Sequence, residues 1–138
     1  MKLLLDADVL LDIALDREAF FAQSSRVLEW CQKTPGSAVV AWHTVSNIYY
    51  VLRAARSDAK ARTFISDMLR FATVASGGTE AVSRALALRM ADFEDSLQVV
   101  AALSQGVELI ITRNIRDYRG APLPAVSPQD FLTRFLPA

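Results

Sequence analysis

A parallel β-sheet covered by helices on both faces, a three-layer α/β/α domain, is the fold this sequence predicts, and three observations carry that prediction. Short all-apolar runs such as Leu3–Leu5 read as strands buried on both faces, the pattern a covered parallel sheet demands. These runs alternate along the chain with amphipathic stretches of helical period. The 138 residues, 52% of them hydrophobic, suffice for one core and little else, so a single domain is expected over 1–138.

The first strand ends at Asp6, which places that carboxylate at the strand's carboxyl end. Asp8 follows two residues later, and if the strand continued the two side chains would share a face. From Glu18 to Lys33, the residues Phe20, Phe21, Ser24, Val27, Leu28 and Cys31 recur at helical spacing until Pro35-Gly36 closes the element. Ala38–Trp42 reads as a second strand, and Thr44–Arg56 as a helix carrying Val45, Ile48, Tyr49, Leu52 and Ala55. A further helix runs to Phe71 with Asp58 as its N-cap. Thr73–Ala75 is a short strand before the Gly77-Gly78 turn, after which Thr79 caps a helix to Leu88. Asp92 opens a helix that reaches Gln105 and stops at Gly106. Val107–Thr112 is the clearest internal strand, followed by a loop rich in Arg, Asp and Gly. Ala125-Val126 is the last strand, and Ser127-Pro128-Gln129-Asp130 starts a final helix with a cap, a first-turn proline and an acid.

Fifteen basic and fifteen acidic residues cancel, so an anionic partner has to be held by a local patch and not by the whole surface field. The single cysteine, Cys31, has no internal disulfide partner and sits in a buried helical pattern, which fits a reducing cytoplasm. The apolar opening Met1–Leu5 is interrupted by Asp6, Asp8 and Asp12 before a signal sequence develops, and no stretch is long enough to span a membrane.

Open α/β sheets bind ligands beyond the carboxyl ends of their strands. Asp6, the pair Asp92 and Asp95, and Asp117 all fall near such places. Carboxylates gathered there repel one another, and a hard divalent cation with oxygen ligands, magnesium or manganese, relieves the repulsion. Each residue also has a plainer reading. Asp92 can be an N-cap with Asp95 a dipole-favourable acid, and Asp6 and Asp117 can serve turns. Asp12 pairs with Arg17, and His43 is a packing or capping residue. Trp30, Trp42, Tyr49 and Tyr50 are placed in packing, either core or dimer interface. Arg113, Arg116 and Arg119 surround Asp117 and read equally as phosphate-holding groups or as a solvated loop, whereas Arg53, Arg56, Lys60 and Arg62 read as surface charge.

The segments LLLDADVLLD, AWHTVSNIYYVLR, DFEDSLQVVAA and LIITRNIRDY, closed by SPQDFL, stand in the order and approximate spacing of PIN-domain proteins, including VapC-type toxins. The chain resembles that family over nearly its whole length, most closely a branch with an HTxxNIYY segment. The resemblance implies a Mg2+- or Mn2+-dependent endoribonuclease in which Asp6, Asp95 and Asp117 bind metal and carry catalysis, with Asp8, Asp92 and Asn114 in support. It further implies a homodimer, an RNA substrate and an antitoxin partner. Where many active members carry a glutamate on the helix after the second strand, this chain has Asn47, which offers a carbonyl oxygen but no charge. That departure points to the alternative of a PIN-fold protein that binds RNA or a partner without cutting it. Asp6-Ala7-Asp8-Val9-Leu10 also resembles the opening motif of haloacid-dehalogenase-type phosphatases, with Asp6 as nucleophile and Asp8 as acid/base. That family needs a later lysine, and none follows Lys60.

Overall fold

In the computed structural model, which describes residues 1–136, five parallel strands form one sheet flanked by helices on both faces. The elements are β1 (Leu3–Leu5), α1 (Ala7–Ala14), α2 (Phe21–Lys33), β2 (Ala38–Ala41), α3 (Trp42–Ala55), α4 (Asp58–Met68), β3 (Ala72–Ala75), α5 (Thr79–Ala87), α6 (Phe93–Ser104), β4 (Leu109–Ile111), β5 (Ala125–Val126) and α7 (Pro128–Phe135). The strand order is β3-β2-β1-β4-β5, with Leu3 beside Ala38 on one side and Leu109 on the other. The order reverses direction at β1, so the crevice of this doubly wound sheet lies at the carboxyl ends of β1 and β4.

Strand alternation sorts the core into two layers. Leu3, Leu5, Ala38, Val40, Leu109 and Ile111 face α1, α2, α3, α4 and α7, where Val9, Val27, Ile48, Met68 and Phe131 complete the packing. Leu4, Val39 and Ile110 face the opposite way and pack with Val99, Ala102 and Tyr118. This is the three-layer arrangement the apolar runs predict.

Several boundaries differ for local reasons. A helix, α1, occupies the stretch from Ala7, where an extended continuation was one expectation: the Asp6 side chain accepts a hydrogen bond from the Ala7 N–H and caps the helix as soon as the strand ends. Trp42 opens α3 instead of closing β2, and α2 begins at Phe21 rather than Glu18. Ser57, not Asp58, caps α4 by accepting from the Lys60 N–H, and α5 starts after Gly78 without a side-chain cap, so Thr79 is its first residue and not its cap. The helix predicted to stop at Gly106 does so; that glycine has a φ of 69°, a left-handed conformation that terminates helices at little cost. The loop after β4 contains a 3₁₀ turn, Ile115–Tyr118.

Candidate metal-binding and nuclease site

Asp6 stands at the centre of the crevice because β1 delivers it there and α1 begins on its carboxylate. It is 9% exposed, and each of its oxygens has two donors. Oδ1 accepts from the Ala7 N–H at 2.7 Å and from the Gln98 amide at 2.8 Å. Oδ2 accepts from the Thr112 hydroxyl at 2.9 Å and the Tyr118 hydroxyl at 3.1 Å. Four donors match the acceptor capacity of an ionised carboxylate. Gln98 is itself steered, since its Oε1 accepts from the Thr44 hydroxyl at 3.3 Å.

Asp8, in the first turn of α1, lies beside Asp6. Its Oδ2 accepts from the Arg113 N–H at 2.9 Å and the Asn114 side chain at 3.2 Å, while its buried Oδ1 has no partner among the described residues. Burial first, and the Asp6 charge second, push the Asp8 carboxyl up to about 6. Asp95 enters from α6, where Asp92 caps the helix by accepting from the Asp95 N–H at 3.1 Å. Burial, then Asp92, Asp6 and Asp117, raise the Asp95 carboxyl to about 7. The plainer reading of Asp92 is thus correct, and the same cap holds Asp95 facing the other acids. Asp117 is exposed on the 3₁₀ turn and adds to their field. Tyr118, buried next to these acids, has its hydroxyl held strongly in the protonated form.

Asn114 supports Asp8 as described, but Asn47 is exposed one turn beyond Thr44, and no hydrogen bond among the described residues ties it to the carboxylates. Arg116 and Arg119 are exposed on either side of Asp117. Arg113 is committed elsewhere. Its guanidinium holds the fully buried Asp12 at 2.7 and 3.0 Å and lies 3.9 Å over the Phe20 ring. Asp12 also pairs with Arg17 at 3.2 Å, the partner its spacing predicts. His43 is partly buried and its Nε2 has no partner; burial lowers its pKa, so the ring is neutral near pH 7. Trp42 and Tyr50 are not core residues, being 67% and 62% exposed.

Sequence reading missed Gln98, Thr112, Tyr118 and Thr44. A polar residue three places after Asp95, inside the apolar run Leu97–Ala102, is the signal that marks Gln98.

Two carboxyls held above their ordinary range destabilise the folded chain when they ionise. The folded state keeps those protons longer than the unfolded chain does, so stability falls as pH rises from about 4 towards 7. Thermal melts in chelator across that window should show the decline, and Asp95→Asn should flatten it. An unchanged slope in that variant would remove Asp95 from the carboxylate cluster.

The PIN-domain family model matches residues 2–116, most of the chain, including Asp6, Asp8, Asp92 and Asp95 and ending one residue before Asp117. The chain belongs to the PIN-domain family. No curated protein matches it in sequence. Among solved structures, it is similar to VapBC2 from Rickettsia felis bound to a DNA fragment from their promoter, with a TM-score of 0.72 at 12% identity over 92% of this chain and 98% of that one. A toxin-antitoxin complex from Klebsiella pneumoniae gives 0.69 at 20% identity, covering 92% and 98%. Mycobacterium tuberculosis VapC20, described as a sarcin-ricin loop cleaving toxin, gives 0.65 at 12% identity, covering 79% and 87%. At these identities the likeness concerns the PIN fold. Family membership sets the phosphatase resemblance of the opening motif aside.

Proposed function

We propose that this PIN-domain protein is a metal-dependent endoribonuclease, using Mg2+ or Mn2+, and the toxin of a toxin-antitoxin pair. The observation that carries the reading is the gathering of Asp6, Asp8 and Asp95, with Asp92 and Asp117 in their field, at the carboxyl ends of a parallel sheet.

Among the described residues, no three His, Cys, Asp or Glu side chains stand close enough to hold an ion as they are placed. The donor set nonetheless fits a hard cation. Every candidate ligand is a carboxylate, the buried Asp8 Oδ1 lacks a partner, and Asp95 is raised first by burial and then by repulsion from Asp92, Asp6 and Asp117, a repulsion that a positive charge would relieve. Asp6, Asp95 and Asp117 would hold the ion, with Asp8 as a further donor. When bound, such an ion orients and acidifies water for attack on phosphorus and neutralises the leaving oxygen. The protein's own groups do the rest. Gln98 and the Ala7 N–H fix Asp6, Asp92 fixes the helix that bears Asp95, and Asn114 with the Arg113 N–H fixes Asp8. Arg116 and Arg119 would meet backbone phosphates and Asn47 would offer a neutral amide, roles supported by the exposure of all three.

RNA as substrate is supported by the description of the M. tuberculosis neighbour, and an antitoxin partner by the R. felis and K. pneumoniae complexes. A homodimer is supported by the exposed Trp42, Tyr50 and Leu69, which border a groove of about 560 Å³ between α3 and α4. Among the described residues no helix is long and apolar enough to cross a membrane; the buried free thiol of Cys31 suits the cytoplasm. The second reading, RNA or partner binding without cleavage, is favoured by Asn47 and by the saturation of Asp6 with donors.

The test is incubation of purified protein with labelled single-stranded and hairpin RNAs in Mn2+, in Mg2+ and in chelator. Cleavage that needs the ion is the expected result. Binding of RNA without cleavage, in protein shown to bind Mn2+, would favour the second reading.

A further inference from the structure

The four donors on Asp6 are of two kinds, and the difference falls between its two oxygens. Oδ1 is held by N–H groups, from Ala7 and Gln98, whose directions are set by the helix α1 backbone and by the Thr44 hydroxyl on the far side of the amide. An N–H of this kind cannot turn to another acceptor without moving its whole group. Among the described residues, Oδ2 is held by two hydroxyls, whose hydrogens can be redirected by rotation about the C–O bond while the oxygen stays in place, readily for Thr112 and between two in-plane orientations for Tyr118. Each of those hydroxyls also has a second carboxylate within reach. Thr112 Oγ1 lies 3.4 Å from Asp8 Oδ2, and the Tyr118 hydroxyl, bonded to Asp6, lies close enough to Asp95 to favour the charged form of that carboxyl.

We propose that Asp6 Oδ2 is the oxygen this site yields to a cation, that the Tyr118 hydroxyl is its displaceable cap, and that Gln98 is the positioning residue which holds Oδ1. This rests on the metal reading above and deepens it. With Oδ2 given over to a cation, Tyr118 would direct its hydrogen to Asp95 or to water and Thr112 would direct its hydrogen to Asp8, so no buried donor would be left unpaired. Gln98 stays in place, because rotating its amide would set its oxygen against the Asp6 carboxylate and its nitrogen against Thr44. Gln98, Thr44 and Thr112 are all buried, at 3%, 1% and 0% exposed, so water offers the relay no substitute partners.

The two roles predict opposite signs. Gln98→Leu removes a fixed partner of a ligand and should weaken Mn2+ binding about 10-fold or more, the usual consequence of losing an outer-shell partner. Tyr118→Phe removes a donor that competes with the ion and should tighten Mn2+ binding several-fold. The measurement is Mn2+ titration followed by the electron paramagnetic resonance signal of the free ion, with thermal melts in chelator to check that each variant folds. Thr44→Val and Thr44→Ser provide a second route that leaves Gln98 in place: the valine variant should lose affinity and the serine variant should retain it. Equal weakening by Tyr118→Phe and Gln98→Leu, in a wild type that binds Mn2+, would overturn the division of roles while leaving the metal reading standing. Loss of affinity in Thr44→Ser equal to that in Thr44→Val would overturn the relay through Thr44. A wild type that fails to bind Mn2+ would overturn the metal reading and this inference together.

Discussion

Asp95→Asn is expected to cut metal-dependent RNA cleavage by at least about 100-fold, because loss of a mere outer-shell partner already costs about 10- to 100-fold in metal affinity or activity and Asp95 is proposed to bind the ion directly. Asparagine keeps the shape and one carbonyl oxygen but removes the charge. Asp6→Asn should do the same, since an amide nitrogen on either side of that residue would face a donor from Gln98, Thr112 or Tyr118. The effects on the metal-free fold should differ between the two. Asp95→Asn removes a charge that burial and then the neighbouring acids disfavour, raising the carboxyl to about 7, so the variant should melt higher than the wild type in chelator at neutral pH. Asp6→Asn should melt lower, because it breaks a fully paired buried network. Cleavage assays with Mn2+, paired with melts in chelator, separate a functional loss from a folding loss. Full activity in the Asp95→Asn variant would end the nuclease assignment at this site.

The difference between those two acids marks what was and was not legible in the sequence. All five strands and six of the helices could be read from apolar runs, periodicity and punctuation, because burial on two faces leaves a local signature. The helix α1 was not foreseen because its apolar residues follow directly on those of β1, and only the Asp6 cap separates them. That Asp6, Asp92, Asp95 and Asp117 fall near strand ends was also legible, although cap and turn roles read equally well from the sequence, and Asp6 and Asp92 do cap helices. Their hydrogen-bond partners were not. Gln98 reaches Asp6 across 92 positions and Tyr118 across 112, and no local pattern specifies a contact that the strand order creates. Asp12 shows the same limit. Local spacing suggested Arg17, just beyond the helix that carries Asp12, while the tighter partner, Arg113, comes from the end of a strand 101 residues away. Arg113 therefore reads from its neighbours as a phosphate-binding group, although its charge is largely occupied inside the fold.

Arg113→Ala should accordingly be the most destabilising of these substitutions, by about 3 kcal/mol, the lower end of what removing one partner of a buried ion pair costs. Asp12 is fully buried, and the two Arg113 bonds at 2.7 and 3.0 Å account for the shorter of its contacts, with Arg17 at 3.2 Å left as a weaker companion. Losing the guanidinium strands a carboxylate in the core between α1 and the end of β4 and removes the contact with the Phe20 ring. Arg17→Ala should cost much less, because Arg113 would remain on both Asp12 oxygens. Arg113→Lys should recover only part of the loss, since an ammonium cannot span two oxygens and stack on a ring at once. Urea unfolding of the three variants measures these differences, and in a thermal melt the alanine variant should fall by roughly 10 °C. If instead Arg113→Ala unfolds like the wild type while its RNA affinity drops and its salt dependence weakens, the guanidinium serves phosphate after all, and the pairing with Asp12 is incidental to the fold.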